Sequence, residues 1–207
     1  MTSEVKKGGL PTWAKVLIGF VVFAIIAGII AVGGIIYLVQ DTVKKAQDPA
    51  MIAKTAKSIA DFTEPLPSGY KFALALDMFG VKTVTVEHEP DKQTIIFMTA
   101  PQKEDTDPQQ LVNKLFEAGI KTPGQPEGAS GRFEQEKLRG TETVGGEAMP
   151  YIVGAMTDKS GSRLEGMVGA IVSKAKGKTI IVYGIQPGEG GYNLETTKAL
   201  LRTIKGF

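Results

Sequence analysis

The pattern of apolar and polar positions changes character early in the chain. From Val16 to Val39 (VLIGFVVFAIIAGIIAVGGIIYLV) 24 consecutive residues carry no charge, and glycine supplies nearly all that is not apolar. No 2.0- or 3.6-residue period runs through this stretch, so it lacks the polar face that a surface helix of a soluble domain keeps. After Gln40 the periods appear. Asp48-Pro49 is an N-cap followed by proline at the first helical position. Behind it Ile52, Ala56, Ile59 and Ala60 share one face of a short amphipathic helix, which Glu64-Pro65-Leu66-Pro67 interrupts. Strand-like runs follow at Phe72–Phe79, Val81–Glu87 and Thr94–Thr99. Asp107-Pro108 opens a second helix, with Gln110 at capping-box spacing and Leu111, Val112, Leu115 and Phe116 inward; Gly119 ends it. The Pro- and Gly-rich stretch Lys121–Gly131 reads as a loop. Four further strands are expected at Phe133–Val144, Glu147–Thr157, Arg163–Ser173 and Thr179–Gln186, joined by short turns such as Gly145-Gly146. Thr179–Gln186 is apolar on both faces and so reads as a central strand. Asn193 caps a last helix with Leu194, Thr197, Leu201 and Ile204 inward.

The order is helix, three strands, helix, four strands, helix. Tight turns make neighbouring strands antiparallel, which predicts an α+β domain: a mostly antiparallel sheet covered by helices. The expected divisions are a short cytoplasmic tail over 1–15, a transmembrane helix over 16–39, a juxtamembrane segment over 40–65, and an extracytoplasmic domain over 66–207. The helix in the juxtamembrane segment reads equally as a stalk or as an element packed on the domain.

The passage Leu66-Pro67-Ser68-Gly69-Tyr70-Lys71, followed by strands, a helix, hairpins ending in Gly177-Lys178-Thr179-Ile180-Ile181-Val182-Tyr183 and a closing helix, resembles the layout of the PsbP-type α/β/α sandwich. The resemblance covers about 140 residues and rests on element order. It implies a fold used by non-catalytic accessory and binding proteins, and it transfers no site residue, because no site motif matches.

At 1.5 Å per residue the apolar run is roughly 36 Å long, enough to cross a hydrocarbon core of about 30 Å. A cleaved signal peptide has a shorter apolar region and a small-residue cleavage site; this run leaves through Ile36-Tyr37-Leu38-Val39-Gln40. Trp13 and Tyr37 lie one bilayer thickness apart, as residues of the two aromatic belts do. Lysines flank both ends, so the positive-inside rule does not fix the orientation; the shortness of the first tail places the N-terminus inside and the domain outside. Within the run Ala24, Ala27, Gly28 and Ala31 follow i, i+3, i+4, i+7 spacing, the small-residue face on which two spans approach closely. The expected partners are the lipid bilayer and, through this face, another transmembrane helix or membrane-complex subunit.

Charge narrows the function further. Three of 24 cations and one of 22 acids precede Asp41, which leaves 21 of each in the remainder. A balanced domain has no electrostatic footprint for nucleic acid. The chain has no cysteine and one histidine, which excludes disulfides, thiolate chemistry and multi-histidine metal sites.

Candidate chemistry is sparse, and no cofactor is expected. Glu87-His88-Glu89 on a strand sends both carboxylates away from His88, the wrong arrangement for one metal, and reads as an exposed strand end. Gly188-Glu189-Gly190-Gly191 lies between strand and helix but matches neither phosphate-loop pattern and reads as a turn. Ser130 and Ser160 lack a nucleophile elbow. Glu134, Glu136, Glu142 and Glu147 offer carboxylates for glycoside chemistry, against the ordinary reading of a solvated face. Lys174, Lys176 and Lys178 make a basic turn that reads as a solubilising feature, and Met78, Phe79, Phe97, Met98, Met149, Met156 and Met167 read as core filling. No catalytic residue is identified. The leading expectation is a single-pass anchored protein with an extracytoplasmic binding or accessory domain. A tethered enzyme with a carboxylate or hydroxyl site and a structural spacer are the alternatives.

Overall fold

The computed structural model describes residues 46–78, 80–101, 106–118, 131–158, 161–173, 177–188 and 190–207. The chain divides into two units, Met1–Lys45 and Ala46–Phe207, and every described residue belongs to the second. The 16–39 run, with Trp13, Tyr37, Ala24, Ala27, Gly28 and Ala31, lies outside the described residues. Among the described residues no helix is long and apolar enough to cross a membrane.

The second unit is α+β, with three helices around a seven-stranded antiparallel sheet among the described residues. The elements are α1 (Pro49–Ile59), β1 (Tyr70–Met78), β2 (Val81–His88), β3 (Gln93–Pro101), α2 (Pro108–Ala118), β4 (Gly131–Val144), β5 (Glu147–Asp158), β6 (Arg163–Ser173), β7 (Lys178–Pro187) and α3 (Leu194–Leu201). Across the sheet the order is β1-β2-β3-β7-β6-β5-β4. Two meanders are therefore joined by the antiparallel pairing of β3 with β7 (Phe97 opposite Val182). The expectation that 179–186 is central holds: β7 is the middle strand of the seven.

Strand alternation divides the core into two layers. On one face Ile95, Phe97, Met167, Ile171, Ile180 and Val182 pack with Ile52, Ala56 and Ile59 of α1 and with Leu200 and Leu201 of α3. On the other, Ile96, Val168, Ala170, Ile181 and Tyr183 pack with Val112, Leu115 and Phe116 of α2. Phe97, Met149, Met156 and Met167 are all buried, as core filling requires.

The helix ends follow the sequence. The Asp48 side chain accepts from the Ala50 N–H at 2.9 Å, and that of Asp107 accepts from the Gln109 N–H at 2.9 Å. Asn193 accepts from the Thr196 N–H at 3.4 Å.

The helix before the domain is not a stalk. Ile59 is 0% exposed, and the compact unit begins at Ala46, not at 66. The Lys178 ammonium donates to the Ser58 and Ile59 carbonyls at 3.0 and 2.7 Å, satisfying the C-terminal end of α1. Beyond α1 the backbone zips to the chain's last residues. Asp61 N–H donates to Gly206 O, Lys205 N–H to Asp61 O and Thr63 N–H to Thr203 O, each at 2.9 Å. Phe62, between these bonds, sets its ring edge-on to Phe72 and Phe97, with centroids 5.5 and 5.2 Å away.

Candidate functional site

The strongest site among the described residues begins with a defect in the edge strand β4. Its register steps from Phe133↔Met156 to Gln135↔Ala155, and from Glu136↔Gly154 to Leu138↔Val153. Glu134 and Lys137 are thus two bulged residues without partners across the ladder. A bulge breaks strict alternation and re-aims the side chain it carries. Both residues line a groove of about 630 Å³, whose walls also include Gln135, Arg163, Glu165 and Gly188.

Glu165 anchors this groove. It stands on β6, opposite Ala155 of β5, and its side chain is 16% exposed. One carboxylate oxygen takes the Lys137 ammonium in a short charge-assisted bond. The other accepts from the Tyr192 N–H at 2.9 Å. Burial alone pushes the Glu165 carboxyl up, but the Lys137 bond and the Tyr192 N–H outweigh it and hold the group below its usual range. Glu165 is therefore an ionised acceptor. With Glu134 it balances Lys137 and Arg163, so the groove pairs donors and acceptors of both signs without net charge.

The Gly188–Gly191 loop also enters this arrangement. Gly188 and Gly191 sit at φ +99° and +84°, which glycine adopts without strain. The amide just past the loop, that of Tyr192, is already taken by Glu165. The loop therefore acts as a turn whose anion is a carboxylate of the protein itself. Glu189, Ser130, Ser160, Lys174 and Lys176 lie outside the described residues.

His88 corrects the reading of an exposed strand end. Its side chain is 13% exposed, with Nδ1 3.2 Å from Asp91 Oδ2 but without a hydrogen-bond partner. Tyr70, opposite His88 in the ladder, lays its ring 4.4 Å from the imidazole. Asp91 accepts from Asn193 Nδ2 at 3.0 Å and from the Thr196 hydroxyl. Tyr70 donates its hydroxyl to Thr196 O at 2.6 Å; burial, and then the Asp91 charge, raise that hydroxyl above its ordinary value. The cluster clamps the β2–β3 turn to the start of α3. Glu87 and Glu89 do lie together away from His88, where Lys71 meets them at 3.5 and 2.8 Å.

Glu134, Glu136 and Glu142 of the hairpin are not brought together. Glu134 lines the groove. Glu136 is held by two of the three guanidinium nitrogens of Arg139, Nη2 at 2.7 Å and Nε at 3.0 Å. Glu142 sits 3.5 Å from both Lys198 and Arg202. Among the described residues no three acidic or histidine side chains are placed to hold a metal. Sequence reasoning missed Glu165, Lys137 and Arg163. The available signal was Glu165 itself, a lone charge inside the apolar run Leu164–Val172.

No protein-family model matches the chain, and no curated protein is similar to it. Among solved structures, a point mutant of the protein Mog1 is similar over 70% of this chain and 86% of that one. The identity is 10% and the TM-score 0.34.

Proposed function

We propose that this is a single-pass membrane protein whose Ala46–Phe207 unit is an extracytoplasmic binding or accessory module, working as a subunit of a membrane complex. The observation that carries the reading is the 24-residue run without a charge at Val16–Val39, which matches the length a bilayer core requires. Trp13 and Tyr37 would lie at the two interfaces, and a partner span would approach along Ala24, Ala27, Gly28 and Ala31.

The groove favours binding over catalysis. A general acid or base at neutral pH needs a pKa drawn towards the working pH, whereas Glu165 is displaced away from it and is already engaged by Lys137 and Tyr192. Opposed charges on rigid strands suit recognition of a polar partner surface.

The chain has no cysteine, so Thr141→Cys, at an exposed position on β4, gives a single reporter. In intact cells it should react with a membrane-impermeant maleimide. Reaction only after lysis would reverse the orientation and remove the extracytoplasmic reading.

A further inference from the structure

A second groove, of about 730 Å³, runs between α1 and the approach to β1. On one wall Pro49, Ile52 and Ala53 follow i, i+3, i+4 spacing along α1, so they form one flank of the helix. On the other stand Pro65, Leu66 and Phe72. Gln47, Glu64 and Lys71 set a polar rim. Pro49, Ala53 and Pro65 are exposed, and the walls between the rim residues are apolar.

We propose that this groove seats on the surface of the bilayer, taking the acyl–headgroup boundary of anionic lipid between α1 and β1. The proposal rests on the anchor reading above. Val39 ends the apolar run and Gln47 already lines the groove. Eight residues of fully extended chain span at most about 28 Å, so an anchored span holds the groove mouth within that distance of the membrane. Tethering at this range raises the local concentration of the surface enough for a weak apolar contact to form. Charge adds direction. In the sequence, Lys44, Lys45, Lys54 and Lys57 stand against Asp41 and Asp48 between the apolar run and the end of α1. Lys54 and Lys57 are exposed, and the ion pair of Lys57 with Glu64 is a loose 3.8 Å contact at the surface. Lysines in such a position are drawn to anionic headgroups once within a Debye length of about 10 Å.

The test uses the full chain reconstituted into vesicles of phosphatidylcholine and phosphatidylglycerol, some lipids carrying bromine on the acyl chain. A polarity-sensitive fluorophore is placed on Ala53→Cys in the groove or on Thr141→Cys on β4, and alkaline carbonate extraction is run on the same vesicles. The proposal expects the chain to resist extraction and the Ala53 probe to be quenched several-fold more than the Thr141 probe. It also expects Lys54→Glu with Lys57→Glu, or vesicles of phosphatidylcholine alone, to reduce that difference. Equal quenching of the two probes in a chain that resists extraction would overturn the groove proposal and leave the anchor standing; the groove would then serve a protein partner or none. Release of the chain by carbonate would overturn both, because the tether would be gone.

Discussion

Replacing Ile59 by alanine separates a core helix from a stalk. Ile59 is 0% exposed and lies among residues contributed by the sheet and by α3. The substitution removes three carbon groups, worth about 0.8 kcal/mol each on transfer, or roughly 2.4 kcal/mol together. The sheet beneath is rigid and collapses only in part, so a cavity term adds to this and the total should reach about 3 kcal/mol. Alanine is the better helix former and returns a few tenths of a kcal/mol. In a domain of this size about 3 kcal/mol lowers Tm by roughly 6–12 °C. Urea unfolding of the Ala46–Phe207 unit, followed by circular dichroism, measures the loss, with Lys54→Ala on the exposed side of the same helix as control. A loss below about 0.5 kcal/mol, no larger than the control, is what an exposed stalk would give and would refute the placement of α1 in the core.

Gly184→Ala should destabilise the same unit by about 1–3 kcal/mol. An added Cβ would lie 1.7 Å from the Tyr192 hydroxyl oxygen and 2.6 Å from Cζ, and the ring is held by its bond to Thr197; an unchanged urea midpoint would contradict the close approach. Glu165→Gln should flatten the acid limb of the stability curve. The folded carboxyl is held below its ordinary value, so the unfolded chain takes up its proton first. The stabilisation is full above the unfolded pKa, about 4.3, and is lost as pH falls through the lower folded value. Urea midpoints measured between neutral pH and the acid transition check this, and parallel curves for wild type and Glu165→Gln would show that Lys137 and Tyr192 do not hold the charge.

How much of this was legible in the sequence depends on the range of each interaction. The helix order and caps at Asp48, Asp107 and Asn193 are local, and the chain states them. The central place of β7 is also readable, because Thr179–Gln186 is apolar on both faces and only a covered strand tolerates that. The fate of α1 is not readable. Its apolar face looks the same whether sheet or another surface covers it, and the deciding bonds join Asp61–Thr63 to Thr203–Gly206, about 140 residues away. The groove was hidden for a different reason. Strict alternation assigns Glu134 and Lys137 to ordinary faces, and only the register shifts against β5 turn both into the groove. His88 was half legible. Alternation correctly sent Glu87 and Glu89 together, but burial under Tyr70 depends on the pairing of β1 with β2.

Residues 16–39 anchor the chain if the proposed function holds. The most direct measurement is alkaline carbonate extraction of membranes from cells making either the full chain or the chain from Ala46 onward. The full chain should remain in the membrane pellet while the shorter one is released, since carbonate removes peripheral proteins and leaves spanning helices in place. Release of both to the supernatant would show that the apolar run does not span the bilayer, and the anchored module would have to be abandoned.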